Sequence, residues 1–410
     1  MSDDAARDDA GALDHDRVSR VTRRALEWAR GDDYAGWDPY DGLNSPLLSA
    51  LGVNWLTRLV GIHAVLRSPV NLRPLLGVPR ERNPKGVALF ARSYLNLYEH
   101  TGNEAYLDEA DALLDWLAHN ESSAFDPACW GYNFDWQNGR KFFLPANHPS
   151  TVVSVFCGRA FLHRWRVGGD ADHLRRAEGV CEFLTTAVNT CRYEGHEVYA
   201  YTPDDSFVVV NSNALVAAFL AEVGDAAGRD AFLERADELV AFLLDAQAST
   251  GAWYYAMPPE ESHLTHDNFH TGYVLESLLD YLGVRPDDER VEAAYREGLR
   301  FYRESLFDPD GAPWFDHETP YPRDVHSAAQ GIRTFVRDGG DRELHRARTV
   351  VEWSLSNLYD PAGYFYRYRG RLYDDTTPYI RWGQAWMCFA LSSYLRYADR
   401  PTASTPDRVH

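Results

Sequence analysis

Histidine and aspartate side chains are concentrated in residues 261–270, immediately before a segment with a helical apolar pattern. Within this stretch, Asp267 and His270 form a candidate acid/base pair, because a histidine at a helix N-terminus can stay neutral and accept a proton near pH 7. Asp267 could instead cap the helix while His266 and the other histidines bond to backbone groups. The sequence leaves both interpretations open, and a capping position is compatible with a place in a site.

A further histidine, His326, lies at the start of the next apolar segment. Two bases on neighbouring elements could each serve one face of a ring carbon, and a loop carboxylate such as Asp135 could lie opposite them. The alternative is a capped helix in which His326 only packs. Asp267, His270, His326 and Asp135 are therefore the candidate catalytic residues.

Aromatic, amide and charged side chains recur in the loops and helix starts. A pyranose requires this combination, because its C–H faces stack on rings while its hydroxyl groups need directional hydrogen bonds. Arg381 could hold a carboxylate in bidentate fashion, unless it pairs with Asp374 or Asp375. The loop around Trp37 could equally be a turn that closes the fold. The candidate binding residues are Trp37, Asp38, Tyr40, Asp41, Trp136, Asn211, His266, Arg381, Gln384 and Trp386.

We predict neither a cofactor nor a metal. The sequence has no phosphate-binding glycine-rich loop, no nucleophile-elbow serine and no nucleotide fingerprint. His263, His266 and His270 have plausible spacing for metal ligands, but no clear further ligand accompanies them. The five cysteines form no C-x-x-C pair and are expected to be reduced and mostly buried.

Two classes of helical segment alternate along the chain. Amphipathic segments with one charged face start near residues 21, 104, 172, 230, 289 and 342. Segments with fewer charges and many small residues start near residues 86, 150, 211, 270, 325 and 381. Between them lie short aromatic stretches that contain glycine, such as residues 251–255 and 363–366, which predict turns and short strands.

This repeat predicts an all-α toroid in which charge-poor inner helices line a barrel and charged outer helices surround it. Every inner helix would then begin at the same rim, where the candidate residues converge. Residues 46–66 could form an inner or an outer helix, so the number of hairpins, six or seven, stays open. We expect one (α/α)6 toroid domain over residues 17–398, with disordered tails at 1–16 and 399–410.

The alternation of helices and aromatic loops resembles the six-hairpin (α/α)6 glycosidase superfamily. Residues 374–386, DDTTPYIRWGQAW, are similar to a motif of unsaturated glucuronyl hydrolases, with Trp382 added after the arginine. This resemblance implies that Arg381 and Trp386 help to hold a uronic-acid sugar. It also implies paired histidines if the chain is a sugar 2-epimerase of this superfamily. The chain as a whole resembles toroid proteins associated with prokaryotic polysaccharide biosynthesis.

Composition excludes several classes of partner. The chain has 410 residues, a formal net charge of -20 and 41 basic residues, of which only Lys85 and Lys141 are lysines. This charge disfavours nucleic acid, and an acidic, lysine-poor composition resembles that of proteins from salt-loving organisms. No apolar run is long enough for a membrane span, and no signal peptide is evident, so we expect a cytoplasmic protein.

The leading hypothesis is a carbohydrate-active enzyme, a hydrolase or an epimerase, that acts on an acidic sugar or oligosaccharide by general acid/base chemistry. The competing hypothesis is a non-catalytic glycan-binding or assembly protein of a surface-polysaccharide or glycosylation pathway. The sequence does not indicate the oligomeric state.

Overall fold

The computed structural model describes residues 15–140 and 142–398, and helices dominate this part of the chain. The outer helices are α1 (His15–Gly31), α6 (Glu104–His119), α8 (Ala171–Thr186), α10 (Asp230–Asp245), α12 (Glu289–Ser305) and α14 (Asp341–Asn357). The inner helices are α5 (Pro84–Thr101), α7 (Thr151–Gly168), α9 (Val210–Ala227), α11 (Asn268–Val284), α13 (Val325–Asp338) and α15 (Trp386–Tyr397). The three remaining helices are short and lie between α1 and α5 in the chain: α2 (Pro46–Leu51), α3 (Trp55–Leu66) and α4 (Arg73–Leu76).

The inner helices form a closed ring. Each inner helix contacts the next one along the chain, and α15 contacts α5 to close the circle. Each outer helix packs on the inner helix next to it in the chain, with α1 packing on α15. Within the described residues the fold is therefore an (α/α)6 toroid with six hairpins. Residues 46–66 do not supply a seventh hairpin, because they form α2 and α3, which pack on each other and on the 3₁₀ turn Asp41–Asn44.

The inner helices pack closely because small residues stand where neighbouring helices meet. A Cβ atom added at Gly158 of α7 would lie 2.5 Å from Phe219 of α9, and one added at Gly272 would lie 2.4 Å from Gln330 of α13. Four of the six inner helices begin with a capping side chain, namely Asn83, Ser150, Asp267 and Asp324, which accepts a hydrogen bond from the backbone of the first turn. Close packing and these caps together fix where the four helices begin.

Ten short strands connect the helices in two-stranded antiparallel ribbons. Their pairs are β1 (Trp136–Asn138) with β2 (Phe142–Leu144), β3 (Thr190–Tyr193) with β4 (His196–Tyr199), β5 (Val208–Val209) with β6 (Ala256–Met257), β7 (Arg323–Asp324) with β10 (Tyr368–Arg369), and β8 (Tyr359–Asp360) with β9 (Tyr364–Phe365). The aromatic stretch 363–366 therefore contains a strand, β9, as the sequence predicts, whereas 251–255 forms only an isolated bridge between Trp253 and Gln247. The predicted tails at 1–16 and 399–410 lie outside the described residues, except that α1 already includes His15 and Asp16.

The first loop, residues 32–45, docks on the chain just before α15, the last inner helix. The Trp37 carbonyl accepts a hydrogen bond from the Ile380 N–H at 3.0 Å. A Cβ atom at Gly36 would lie 2.7 Å from Ile380 Cβ, so only glycine permits this approach. Before α15 the chain makes a π-helical turn, Ile380–Ala385. Within this turn the buried Gln384 amide donates to the Phe365 carbonyl and accepts from the Phe365 N–H, both at 2.8 Å.

All five cysteines are free thiols, and four of them are buried. No helix within residues 15–140 and 142–398 has the length and apolar character needed to cross a lipid bilayer.

We expect Gln384→Leu to lower the free energy of unfolding by about 2–4 kcal/mol, because it leaves two buried backbone groups of Phe365 without partners. Chemical denaturation monitored by circular dichroism measures this loss. A loss below about 0.5 kcal/mol, the range of a neutral surface substitution, would contradict the structural role of the Gln384 amide.

Candidate active site

A cavity of about 640 Å³ opens at the rim where the inner helices begin. Five inner helices contribute a residue from their first turn. The sixth residue is Arg381, which lies in the π-helical turn just before α15. These residues are Lys85, Val152, Asn211, His270, His326 and Arg381. Residues distant in the sequence therefore meet at one mouth, as the repeat predicts. Loop residues such as Tyr40 and Trp136, and the end of α3, complete the wall.

His270 and Asp267 form a hydrogen-bonded pair at the N-terminus of α11. Asp267 Oδ2 lies 2.8 Å from His270 Nδ1, while Asp267 Oδ1 accepts the backbone N–H of His270 at 3.1 Å. One carboxylate thus caps the helix and orients the imidazole. Because Asp267 is 1% exposed and His270 lines the cavity, the pair leaves Nε2 as the nitrogen available for proton transfer.

His326 begins α13 and is held between aromatic rings. Its ring stacks on Phe269 at a centroid distance of 4.4 Å and on Trp386 at 4.5 Å. Its Nε2 lies 2.8 Å from the Tyr273 hydroxyl, and its Nδ1 has no hydrogen-bond partner. Burial lowers the pKa of His326 well below its usual value, so the imidazole is neutral near pH 7.

The Tyr273 hydroxyl also contacts a buried lysine at the start of α5. Lys85 Nζ lies 3.3 Å from the Tyr273 oxygen, so Lys85, Tyr273 and His326 form a continuous hydrogen-bonded chain along the cavity wall. Lys85 is 3% exposed, and burial lowers its pKa well below the usual value. The candidates chosen from the sequence do not include Lys85 or Tyr273, although a rare lysine at an inner-helix start is a usable signal.

Asp324 supplies a carboxylate to the cavity lining. It caps α13 by accepting the His326 N–H at 2.7 Å, and it accepts the Trp382 indole N–H at 2.9 Å. Burial raises the pKa of Asp324 from its ordinary value of 3.8 to about 6, although the positive charge of Arg367 lowers this pKa. Trp382 is the residue that this chain adds to the motif of unsaturated glucuronyl hydrolases. Its indole therefore holds the Asp324 carboxyl group in place.

The cavity lining is cationic although the chain as a whole is acidic. Among the described residues that line it, Asp324 is the only carboxylate. Arg381 is neutralised by Asp38 and Arg367 by Asp375, whereas Arg67 and Arg371 have no carboxylate partner in the described chain. The cationic residues of the lining are Arg67, Lys85, Arg367, Arg371 and Arg381.

Six of the residues predicted from the sequence line this cavity. Asn211 is notable among them because its side-chain oxygen is buried and has no hydrogen-bond donor, so it can accept one from a ligand. Arg381 reaches the cavity, but it pairs with Asp38 rather than with Asp374 or Asp375. The six residues are Tyr40, Trp136, Asn211, His270, His326 and Arg381.

Two predicted aspartates of the first loop lie behind the wall in buried ion pairs. Asp38 binds Arg381 through two bonds of 2.6 and 2.8 Å. Asp41 binds Arg73 at 2.6 Å, and burial raises the pKa of Asp41 to about 6. Both aspartates are bonded within the protein and are not available to contact a ligand directly.

The other predicted residues also lie outside the lining, and each has a structural contact. The Trp37 indole donates to the Val78 carbonyl at 3.1 Å, and Asp135 accepts the Ala146 N–H at 2.8 Å. His266 Nδ1 lies 3.1 Å from the Trp253 carbonyl oxygen. Asp267 orients His270, Trp386 stacks behind His326 and Gln384 holds Phe365. These residues position the site and do not form its surface.

Within residues 15–140 and 142–398, no cluster of three histidine, cysteine or carboxylate side chains could hold a metal ion. His263 and His270 line the cavity while His266 points away toward Trp253.

Comparison with known proteins identifies the fold. No protein-family model matches the chain, and no curated protein matches it significantly. Among solved structures, a sugar epimerase from a ruminal bacterium superposes with a TM-score of 0.63 at 14% identity, covering 92% of this chain and 98% of the epimerase. The chain has the six-hairpin glycosidase fold.

Two further neighbours share this fold. Cellobiose 2-epimerase from Bacillus thermoamylovorans has a TM-score of 0.63 at 12% identity, with 92% of this chain and 99% of that chain covered. A possible member of the GH105 family from Salmonella enterica serovar Paratyphi A has a TM-score of 0.64 at 11% identity, with 96% and 97% covered. At these identities the similarity establishes the six-hairpin architecture alone.

The raised pKa of Asp324 predicts a dependence of stability on pH. Because the folded state prefers the protonated carboxyl, this preference stabilises the protein fully below about pH 3.8 and is lost as the pH rises through about 6. Between about pH 4 and pH 7 we expect the wild type to lose ~2 kcal/mol relative to Asp324→Asn. Denaturant unfolding of both proteins across this range measures the difference, and a difference independent of pH would contradict it.

Proposed function

We propose that this protein is an epimerase that moves a proton at the carbon next to the carbonyl of an acidic sugar. The observation that carries the proposal is the arrangement of two histidines, His270 and His326, on adjacent inner helices at one cavity. Asp267 holds one of them and Tyr273 contacts the other. Such a pair can remove a proton from a carbon atom and return one to it.

Epimerisation accounts for the lining better than hydrolysis does. Most glycosidases use two carboxyl groups on either side of the scissile bond. Among the described residues, Asp324 alone supplies a carboxylate to this cavity, and Asp267 is buried behind His270. Within the described chain the lining therefore lacks the second carboxyl group of that arrangement, whereas both bases for proton transfer are present.

An acidic sugar fits the electrostatics of the cavity. Arg67 and Arg371 line it without carboxylate partners in the described chain, so they are available to bind the carboxylate of a uronic acid. Phe269, Tyr255 and Trp136 provide ring surfaces for its C–H groups. Asn211 Oδ1 and Gln137 Oε1 are buried acceptors without donors, which suits sugar hydroxyl groups.

In the reaction, His270 Nε2 accepts the proton from the sugar carbon. Asp267 bonds to Nδ1 at 2.8 Å and stabilises the imidazolium that forms. The Tyr273 hydroxyl, backed by His326 at 2.8 Å, can deliver a proton to the carbanionic carbon. Burial raises the pKa of Tyr273 well above its usual value, so the hydroxyl is protonated when the reaction begins.

We expect His270→Gln to reduce proton transfer by at least about 100-fold, because it removes the base and leaves the helix cap, which Asp267 makes to the backbone. Asp267→Asn keeps the cap but no longer accepts the Nδ1 proton, and we expect a loss of between about 10-fold and 10⁴-fold. Proton NMR of uronic acids in deuterated water measures the rate of exchange at the reacting carbon.

His196→Gln is the matched control, because His196 Nε2 also pairs with a carboxylate, Asp245, at 2.8 Å but lies outside the cavity lining. Its exchange rate should equal that of the wild type. If the wild type binds an acidic sugar, as detected by thermal shift, yet exchanges no proton, the protein is a glycan-binding protein and the proposal is wrong.

A double variant, Arg67→Gln with Arg371→Gln, tests the preference for an acidic sugar. We expect it to raise KM for a uronic acid about three- to tenfold, since each exposed charge pair contributes roughly 0.2–1 kcal/mol. KM for the neutral sugar should not change. The control variant, Arg300→Gln with Arg342→Gln, removes the same number of charges from α12 and α14. KM for the acidic sugar and KM for the neutral sugar should both stay unchanged in it. Equal increases for the acidic and the neutral sugar would contradict a carboxylate contact.

A further inference from the structure

The exposed large hydrophobic side chains of the described chain are concentrated on one part of the surface. Eight of the twelve lie in residues 47–75, and three of the other four, Tyr321, Leu372 and Tyr373, line the cavity. Among the described residues none of the twelve lies on an outer helix. A contiguous apolar patch of this kind marks a site of interaction with a protein or a membrane. The eight, which we call the apolar collar, are Leu47, Leu51, Val53, Trp55, Leu56, Val60, Val70 and Leu75.

The apolar collar belongs to α2, α3, α4 and the turns between them, beside the cavity. Because α2 contacts both α3 and α4, the eight side chains share one region of the surface. Leu56 and Val60 are about one turn apart on α3 and are 50% and 59% exposed. On the opposite side of this helix Ile62 and Val65 are buried. Helix α3 therefore has a second apolar face that no other part of the described chain covers, and its end lines the cavity.

The same segment carries positive charge and no negative charge. Residues 42–80 contain no aspartate or glutamate, although the chain has 61 of them. The Arg58 guanidinium lies 4.2 Å from the centroid of the Phe143 ring. Arg140 is exposed at the turn of the β1–β2 ribbon, which packs on α3. Within the described residues, Arg58, Arg140 and Arg67 form no ion pair with a carboxylate, so their positive charges are available to an anionic partner.

An anionic lipid surface fits this combination better than a protein surface does. Seven of the eight collar side chains are leucine or valine, whereas the centres of protein interfaces favour tyrosine, tryptophan and arginine. Aliphatic side chains with a tryptophan and neighbouring arginines are typical of helices that lie at the boundary between lipid head groups and acyl chains. A second copy related by a two-fold axis would bring the same arginines together without supplying a carboxylate from this segment.

We propose that the apolar collar docks this protein on the surface of an anionic lipid bilayer. Leu56 and Val60 enter the boundary of the acyl chains, while Arg58 and Arg140 bind lipid phosphate groups. The net charge of -20 permits this contact, because repulsion from carboxylates on distant faces is screened beyond about 8 Å at physiological ionic strength. The cavity then opens beside the lipid surface, since the end of α3 forms part of its wall. The docking does not depend on the proposed reaction.

Co-sedimentation of the wild-type protein with vesicles measures docking in the absence of any sugar. One set of vesicles contains phosphatidylcholine alone, and the other contains about 30% phosphatidylglycerol, an anionic lipid. We expect the protein to bind the anionic vesicles at least about tenfold more tightly than the neutral ones, and added salt to weaken this binding. Equal binding to both sets, or no binding to the anionic vesicles, overturns the proposal.

Leu56→Gln with Val60→Gln tests the apolar contact. Both side chains are exposed, so we expect the variant to fold, which circular dichroism verifies. Its binding to the anionic vesicles should weaken at least about tenfold, because neither glutamine gains free energy by leaving water. The control, Ala105→Gln with Ala112→Gln, introduces the same two side chains at exposed positions of α6 and should bind as the wild type does. A folded collar variant that binds as tightly as the control contradicts the proposal.

Arg58→Gln with Arg140→Gln tests the charge contact without altering the cavity lining. We expect this variant to bind the anionic vesicles about 10- to 30-fold more weakly and the neutral vesicles unchanged, since each arginine near an anionic surface accounts for about fivefold. Arg300→Gln with Arg342→Gln removes the same number of charges from α12 and α14 and should bind as the wild type does. An equal loss in both variants is an effect of net charge alone and overturns the role of the collar.

The competing occupant of the collar is a second copy of this chain. Sedimentation velocity of the wild type and of the variant with Leu56→Gln and Val60→Gln, both without lipid, distinguishes the two occupants. The proposal predicts the same molecular mass for both proteins, because the collar is uncovered in solution. A wild-type dimer that dissociates in the variant assigns the collar to an interface between copies and overturns the proposal.

Discussion

The common direction of the six inner helices is the constraint on which the site depends. Because every inner helix starts at the same rim, first-turn residues of five of them and Arg381, just before the sixth, line one cavity. The same geometry turns six helix N-termini toward that cavity, and each carries a partial positive charge. Together with Arg67 and Arg371, these termini favour an anionic ligand. The closed ring thus sets both the position of the catalytic groups and the sign of the charge they attract.

Buried ion pairs maintain this arrangement at the seam of the ring. Asp38 and Asp41 are used within the protein, on Arg381 and Arg73. Arg73 also donates to the Tyr379 hydroxyl and to two carbonyls of the first loop, which ties the start of the chain to the last inner helix. Removing one partner of such a pair leaves a buried charge and costs about 3–5 kcal/mol. The carboxylates of the first loop therefore hold the rim and add no negative charge to the cavity surface.

Periodicity in the sequence was sufficient to predict the toroid, because each helix carries its own amphipathic or small-residue pattern. The predicted start of α13 and that of α12 match the structure, and the convergence of His270, His326 and Arg381 followed from the repeat. The number of hairpins could not be predicted, since residues 46–66 are apolar enough to form a helix in either layer. Only their packing on the first loop shows that they belong to neither.

Pairing between distant residues could not be predicted. Asp38 and Arg381 are 343 positions apart, and nothing local to either residue indicates that they neutralise each other. For the same reason the sequence predicts Gln384 and Trp386 as ligand-binding residues, whereas the π-helical turn and the stacking on His326 direct them inward. Lys85 was missed because a lysine in a helical pattern usually faces solvent, whereas aromatic rings from α7, α11 and α15 enclose this one.

A crystal structure of the wild-type protein in complex with an acidic aldose would show whether this cavity is the sugar site. We expect the sugar to occupy the cavity with its carboxylate against Arg67 and Arg371. Its C2 atom should lie about 3–3.5 Å from His270 Nε2, the distance of a reactive complex. A sugar bound outside the cavity, or one whose reducing end points away from both His270 and Tyr273, would contradict it.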